Sequence, residues 1–167
     1  QTAIETVTLP AGVTSIGASA FAGCSKLRSI NLEQVTNLGA GAFSQCTALT
    51  AVQLGDGLAE VPERAFAGCS RLASVTLPTT VETLGEDSFQ LCTSLRGLTL
   101  PEGLTTIHAG AFLGCPLETL HLPSTLEQLG DAYMGDVFEE AGQNPANTAM
   151  THMTVAEGNP LYSAVDG

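Results

Sequence analysis

The sequence predicts an α/β repeat solenoid: a right-handed superhelix with a parallel sheet on its concave face and short helical turns on its convex face. Two spacings predict it. Phe21, Phe43, Phe66, Phe89 and Phe112 lie 22, 23, 23 and 23 residues apart, and Cys24, Cys46, Cys69, Cys92 and Cys115 each follow a Phe by three. In the same register, pairs of apolar residues two apart recur as Val7/Leu9, Ile30/Leu32, Val52/Leu54, Val75/Leu77, Leu98/Leu100 and Leu120/Leu122. A repeat of about 20–29 residues with such a pattern stacks its copies, because one copy alone buries too little apolar surface to offset its chain entropy.

Each part of the repeat has a physical reading. The alternation V-x-L is a short strand with two side chains pointing inward and their neighbours outward. Pro10, Pro78, Pro101 and Pro123 follow directly; with no N–H to donate, they end the strand. The next stretch, V-x-x-I-G, is an apolar pair whose Gly17, Gly39, Gly85 or Gly130 permits a sharp bend. Then comes A-F-x-x-C-x-x-L, with Ala20, Ala42, Ala65 and Ala111 before the Phe and Ser88 in the remaining copy. Its three-residue apolar spacing predicts one or two helical turns on the outer side.

At this point the combination VxLPxxVxxIGxxAFxxC resembles the BspA-like class of bacterial leucine-rich repeats. It reads Val7-Thr8-Leu9-Pro10 through Cys24 and again Val75-Thr76-Leu77-Pro78 through Cys92, and the match covers about four-fifths of the chain. The tail, Val155 to Tyr162 with Asn159-Pro160, then Asp166-Gly167, is similar to a family element in which a strand leads into N-P-x-Y and D-G. The resemblance implies a leucine-rich-repeat superhelix, secretion or surface display by bacteria, and binding to host or neighbouring-cell proteins. It implies no catalysis; no cofactor is expected from the residues.

The whole of 1–167 reads as one solenoid domain, with regular repeats over about 4–137, an insertion at about 138–149, and a seventh strand with a partial C-terminal repeat over 150–167. In the sixth copy Met134 takes the Phe slot and Val137 the Cys slot; Met150, Met153 and Val155 then restore the strand spacing. The insertion, with Glu139, Glu140, Asn144 and Pro145, is expected to be a surface excursion or partial cap, or alternatively a recognition loop. Beginning at Gln1 and stopping at Asp166-Gly167 after a strand-like segment, the chain reads as a trimmed piece, with export as the expectation.

Composition narrows the partners. Five Lys and Arg against 17 Asp and Glu give a net charge of −12, and aromatics are 5% with no Trp. Nucleic acid, which needs clustered cations, is disfavoured. No run of about 20 apolar residues offers direct membrane insertion. The five Cys lack any CxxC pair and share one slot beside a buried Phe, so reduced core thiols are expected rather than a metal site or disulfides. His121 and His152 face outward on neighbouring strands within diagonal reach, without a third ligand; His108 replaces a bend Gly as a solvated turn residue. The pairs Glu86-Asp87 and Glu139-Glu140 read as solvated surface charge, not facing catalytic acids. With no GxSxG, HExxH or Walker loop, an enzyme is not expected.

The outward sheet positions are the better candidates. One row is Thr6, Ser29, Ala51, Ser74, Gly97, Thr119 and His152; the other is Thr8, Asn31, Gln53, Thr76, Thr99, His121 and Thr154. Thr suits any exposed strand, yet the rows also form a flat, uncharged, hydrogen-bonding strip fit to hold a protein or peptide. After Arg96 no Lys or Arg occurs, whereas acids continue to Asp166, a solubilising surface or one that attracts a basic partner. Two functions follow as expectations: a secreted or cell-surface module binding a host or bacterial extracellular protein, or a structural spacer within a longer surface protein.

Overall fold

The computed structural model describes residues 3–130 and 150–159. Its strands are short, two to four residues each. In chain order they are β1 (Thr6–Val7), β2 (Ser15–Ile16), β3 (Ser29–Ile30), β4 (Asn37–Leu38), β5 (Ala51–Gln53), β6 (Glu60–Val61), β7 (Ser74–Thr76), β8 (Thr83–Leu84), β9 (Thr106–Ile107), β10 (Thr119–Leu122), β11 (Gln128–Leu129) and β12 (His152–Val155). All pairings are parallel, as consecutive turns of a coil require.

The V-x-L segments build the first ladder. β1 pairs β3, β5 pairs β7 and β10 pairs β12, while single bridges join Leu32 to Leu54 and Gly97 to Thr119. The seventh strand falls where the sequence puts it, Met153 opposite Leu120 and Val155 opposite Leu122. A second ladder arises where only a bend was expected. The residues at the end of V-x-x-I pair as β2–β4 and as the four-stranded set β6–β8–β9–β11. The bend slot does not generally exploit glycine's left-handed freedom. Pro62 and His108 fill it in two coils, and the His108 N–H joins the ladder at Leu84 O. A Cβ on Gly39 would instead run into the backbone of Ala18, so close approach between coils selects Gly there; Gly130 alone in this slot has positive φ, 73°.

The outer segments are not helical: among the described residues there is no helix. Each A-F-x-x-C segment is a run of turns that forms a third ladder. Alternate amides reach the next coil: Arg64, Phe66 and Gly68 donate to Glu86, Ser88 and Gln90 carbonyls at 2.9, 2.9 and 2.6 Å. The amides between them close turns within the coil, Ala67 to Arg64 O and Cys69 to Phe66 O, both 3.1 Å. A helix would spend every amide on its own carbonyls four residues back. Two slots four residues apart also take positive φ, seen at Arg64 (53°) and Gly68 (73°) and again at Asp87 (56°) and Leu91 (57°). Left-handed residues at that interval rule the helix out.

The space enclosed by the three ladders is filled by columns. Phe43, Phe66, Phe89 and Phe112 are wholly buried. Neighbouring rings from Phe21 to Phe112 stack at centroid distances of 5.3, 5.4, 5.5 and 6.1 Å and within 14° of parallel. The Cys column has its own logic. Phe21 O accepts the Cys24 N–H at 3.0 Å and also the Cys46 thiol at 3.1 Å. Cys69, Cys92 and Cys115 donate likewise to Phe43, Phe66 and Phe89 carbonyls at 3.1, 3.3 and 3.0 Å. The thiol thus satisfies the second lone pair of a buried carbonyl in the preceding coil while packing as a small hydrophobe.

At the far end Asn159 ties the tail down. Its side-chain amide donates to Pro123 O at 2.9 Å and Leu126 O at 3.0 Å. The expectations for the sixth-copy Phe and Cys slots, for the 138–149 insertion, and for the tail beyond Asn159 lie outside the described residues.

Candidate binding face

The outward rows of the first ladder come out as a surface. Thr6, Ser29, Ala51, Ser74, Gly97, Thr119 and His152 are exposed, as are Thr8, Gln53, Thr76, Thr99 and His121; Asn31 and Thr154 are half-buried. They are not equally available. The Asn31 side chain embraces the neighbouring coil, accepting from Leu9 N–H at 2.7 Å and donating to Leu9 O at 3.2 Å, so it acts as an extra rung of the ladder. His121 Nδ1 lies 2.6 Å from Thr154 Oγ1, directly across the strand pair. His152 stands opposite Thr119. Ser29 donates to Thr6 at 3.4 Å.

One place on this face is different. Among the described residues no strand pairing joins β7 to the fifth coil, whose Leu98–Leu100 segment carries only the Gly97 bridge to Thr119. Gly97 brings no side chain to pack and weakens the strand there. The gap is a shallow groove of about 290 Å³ lined by Val75, Thr76, Leu77, Thr79, Thr99 and Pro101. Leu77 is half-buried where the equivalent Leu54 and Leu100 are buried. The groove therefore has an apolar floor and hydroxyl rims from Thr76 and Thr99. Its volume falls just below the range of about 300–1,000 Å³ that small-molecule sites occupy, room for one or two side chains. Both Thr residues stand in the predicted strip, but the groove itself lies where pairing between two coils is missing, which no single repeat announces.

Among the described residues, burial governs how the thiols titrate. Burial pushes the Cys46 and Cys69 thiols up to about 12. The Cys92 thiol is also raised, by its hydrogen bond with Cys115 and then by burial. Thiols held protonated are poor nucleophiles and poor ligands. All five cysteines are buried thiols outside any disulfide, and no group of three or more metal-ligating side chains gathers among the described residues. Asp87 is not the solvated acid expected: it is 9% exposed, lies 3.2 Å from Arg64 Nε and accepts from Gln90 at 3.0 Å. Its place in the left-handed slot of the turn ladder turns the side chain toward its neighbours. His108, expected solvated, is half-buried.

A closed parallel coil with buried columns and a polar outer strip defines a repeat scaffold. The chain belongs to the family described as BspA type leucine rich repeat region, whose family model matches six copies over residues 1–37 and 14–137. Solved structures agree. A leucine rich cell surface protein from Faecalibacterium prausnitzii is 30% identical, with 98% of this chain and 41% of that one covered at a TM-score of 0.84. A leucine rich repeat protein from T. pallidum is 29% identical, covering 90% of this chain and 72% of that one at 0.77. A leucine-rich repeat protein from Bacteroides ovatus is 28% identical, covering 92% and 43% at 0.73. No curated protein matches the sequence.

Proposed function

We propose that this chain is a secreted or cell-surface bacterial module that binds a host or bacterial extracellular protein through its first ladder, without catalysis. The groove between Thr76 and Thr99 carries the reading. There an otherwise closed strip opens an apolar floor between hydroxyl rims, the combination that lets a partner bury an anchor side chain and satisfy its backbone at the edges. The similar Faecalibacterium protein, described as a cell surface protein, supports the location. Binding of this chain to immobilised extracellular-matrix proteins, beside the variant T76E/T99E/H121E, tests the site. We expect the triple variant to lose at least about tenfold in affinity, since the Glu side chains at 76 and 99 put charge without a partner into the groove and the one at 121 adds charge to the strip beside it. Equal binding by both proteins, or none by either, leaves the second reading ahead.

That second reading is a spacer within a longer surface protein. It is favoured by length, since the chain spans 41% and 43% of the Faecalibacterium and Bacteroides chains, and by a coil whose neighbours stiffen one another.

A further inference from the structure

We propose that a notch on the N-terminal coils, apart from the Thr76–Thr99 groove, docks an extended acidic segment of a partner protein. The whole chain has only five cations, and three of them, Lys26, Arg28 and Arg71, line one recess of about 270 Å³ together with Glu5, Ser25 and Ala48. The repeat explains how. Lys26, Ala48 and Arg71 each stand two residues after a Cys on three successive coils, so they form one column, and the small Ala48 leaves a gap between the two cations. Coils about 4.8 Å apart place the outer two backbones about 10 Å from each other. Carboxylates at alternate positions of an extended peptide lie about 6.5–7 Å apart and fit between such cations, with each cation reaching inward.

The charge is available. Arg28 is held only loosely by Glu5, at 3.7 Å with both side chains more than half exposed. Neither Lys26 nor Arg71 makes an ion pair among the described residues. By contrast Arg64 and Arg96 are engaged by Asp87 and Glu118 at 3.2 and 3.0 Å. On a molecule of net charge −12, this is a local field of opposite sign, and it is too small and too interrupted by Glu5 for a continuous polyanion. An acidic peptide matches it better than a sulfated glycan chain does.

The test uses a fluorescein-labelled peptide of alternating Glu and Ser, followed by fluorescence anisotropy at low ionic strength. The folded chain should bind it saturably and more weakly as salt rises. The variant K26A/R71A should bind at least about tenfold more weakly, whereas R96A, which removes a cation already paired, should match the wild type. Circular dichroism confirms that the variants fold. The proposal is overturned if the wild type shows no saturable binding, if K26A/R71A binds equally, or if a sulfated oligosaccharide or inorganic phosphate binds more tightly than the peptide. T76E/T99E/H121E should keep the peptide, so failure at either face leaves the other tested on its own.

Discussion

Ser88 holds the slot filled by Ala20, Ala42, Ala65 and Ala111 in the other coils, and its hydroxyl is buried with no hydrogen-bond partner among the described residues. A buried, unsatisfied hydroxyl costs about 1–3 kcal/mol. Ser88→Ala should therefore stabilise the fold by about 1 kcal/mol, read as a higher midpoint in urea. The thiols make the opposite kind of contribution. Cys46 and Cys69 have folded-state values near 12 against an ordinary 9.0, so above that ordinary value the native state keeps protons that the unfolded chain releases. Stability should be flat with pH up to about 9 and fall progressively between about 9 and 12. Urea midpoints across that window, with the double variant C46A/C69A showing a shallower decline, check it. The Cys column itself was legible from its fixed offset to Phe, but its partner carbonyl was not, because the bond crosses to the preceding coil.

Elements of this size test how far pattern reading reaches. The strands of the first ladder were visible because V-x-L alternates with period two. Those of the second ladder are all two residues long, too short to show any period. The convex segments carry an ambiguous signal: Phe, Cys and Leu three apart suit consecutive i→i+3 turns as well as a helix. Composition did hold the corrective. Gly23, Gly41, Gly68, Gly110 and Gly114 recur in these segments, and each would cost a helix about 1 kcal/mol relative to Ala. Leu91 is the sharpest exception in the turn ladder, an apolar residue 48% exposed with φ of 57° where three other coils use Gly. Leu91→Gly should raise stability by about 0.5–1 kcal/mol, and Leu91→Val should lower it by about 1 kcal/mol, because a β-branched side chain tolerates left-handed φ worst. Thermal unfolding of the pair gives both signs in one experiment.

Across the whole molecule, stability is shared between neighbouring coils, so the cost of a defect depends on where it falls. Phe66 has a ring stacked on each side, whereas Phe21 is half-buried at the end of the stack. Phe66→Ala should cost about 3–5 kcal/mol, and Phe21→Ala clearly less; denaturant titrations separate them. The two candidate faces also arise only at this scale. Ala48 is unremarkable in one copy, and it matters because the stack sets it between Lys26 and Arg71 and leaves a notch; the groove opens where β7 and the fifth coil do not pair. Alignment of the repeats supplied the columns, but which column opens depends on pairing between coils.

The stacking of Phe and Cys columns inside three ladders is tested most directly by counting reactive thiols with Ellman's reagent. The native chain should yield none of its five cysteines, all buried, and the guanidinium-unfolded chain all of them. Rapid reaction of two or more thiols in the native protein would contradict the enclosed columns on which the fold and both faces depend.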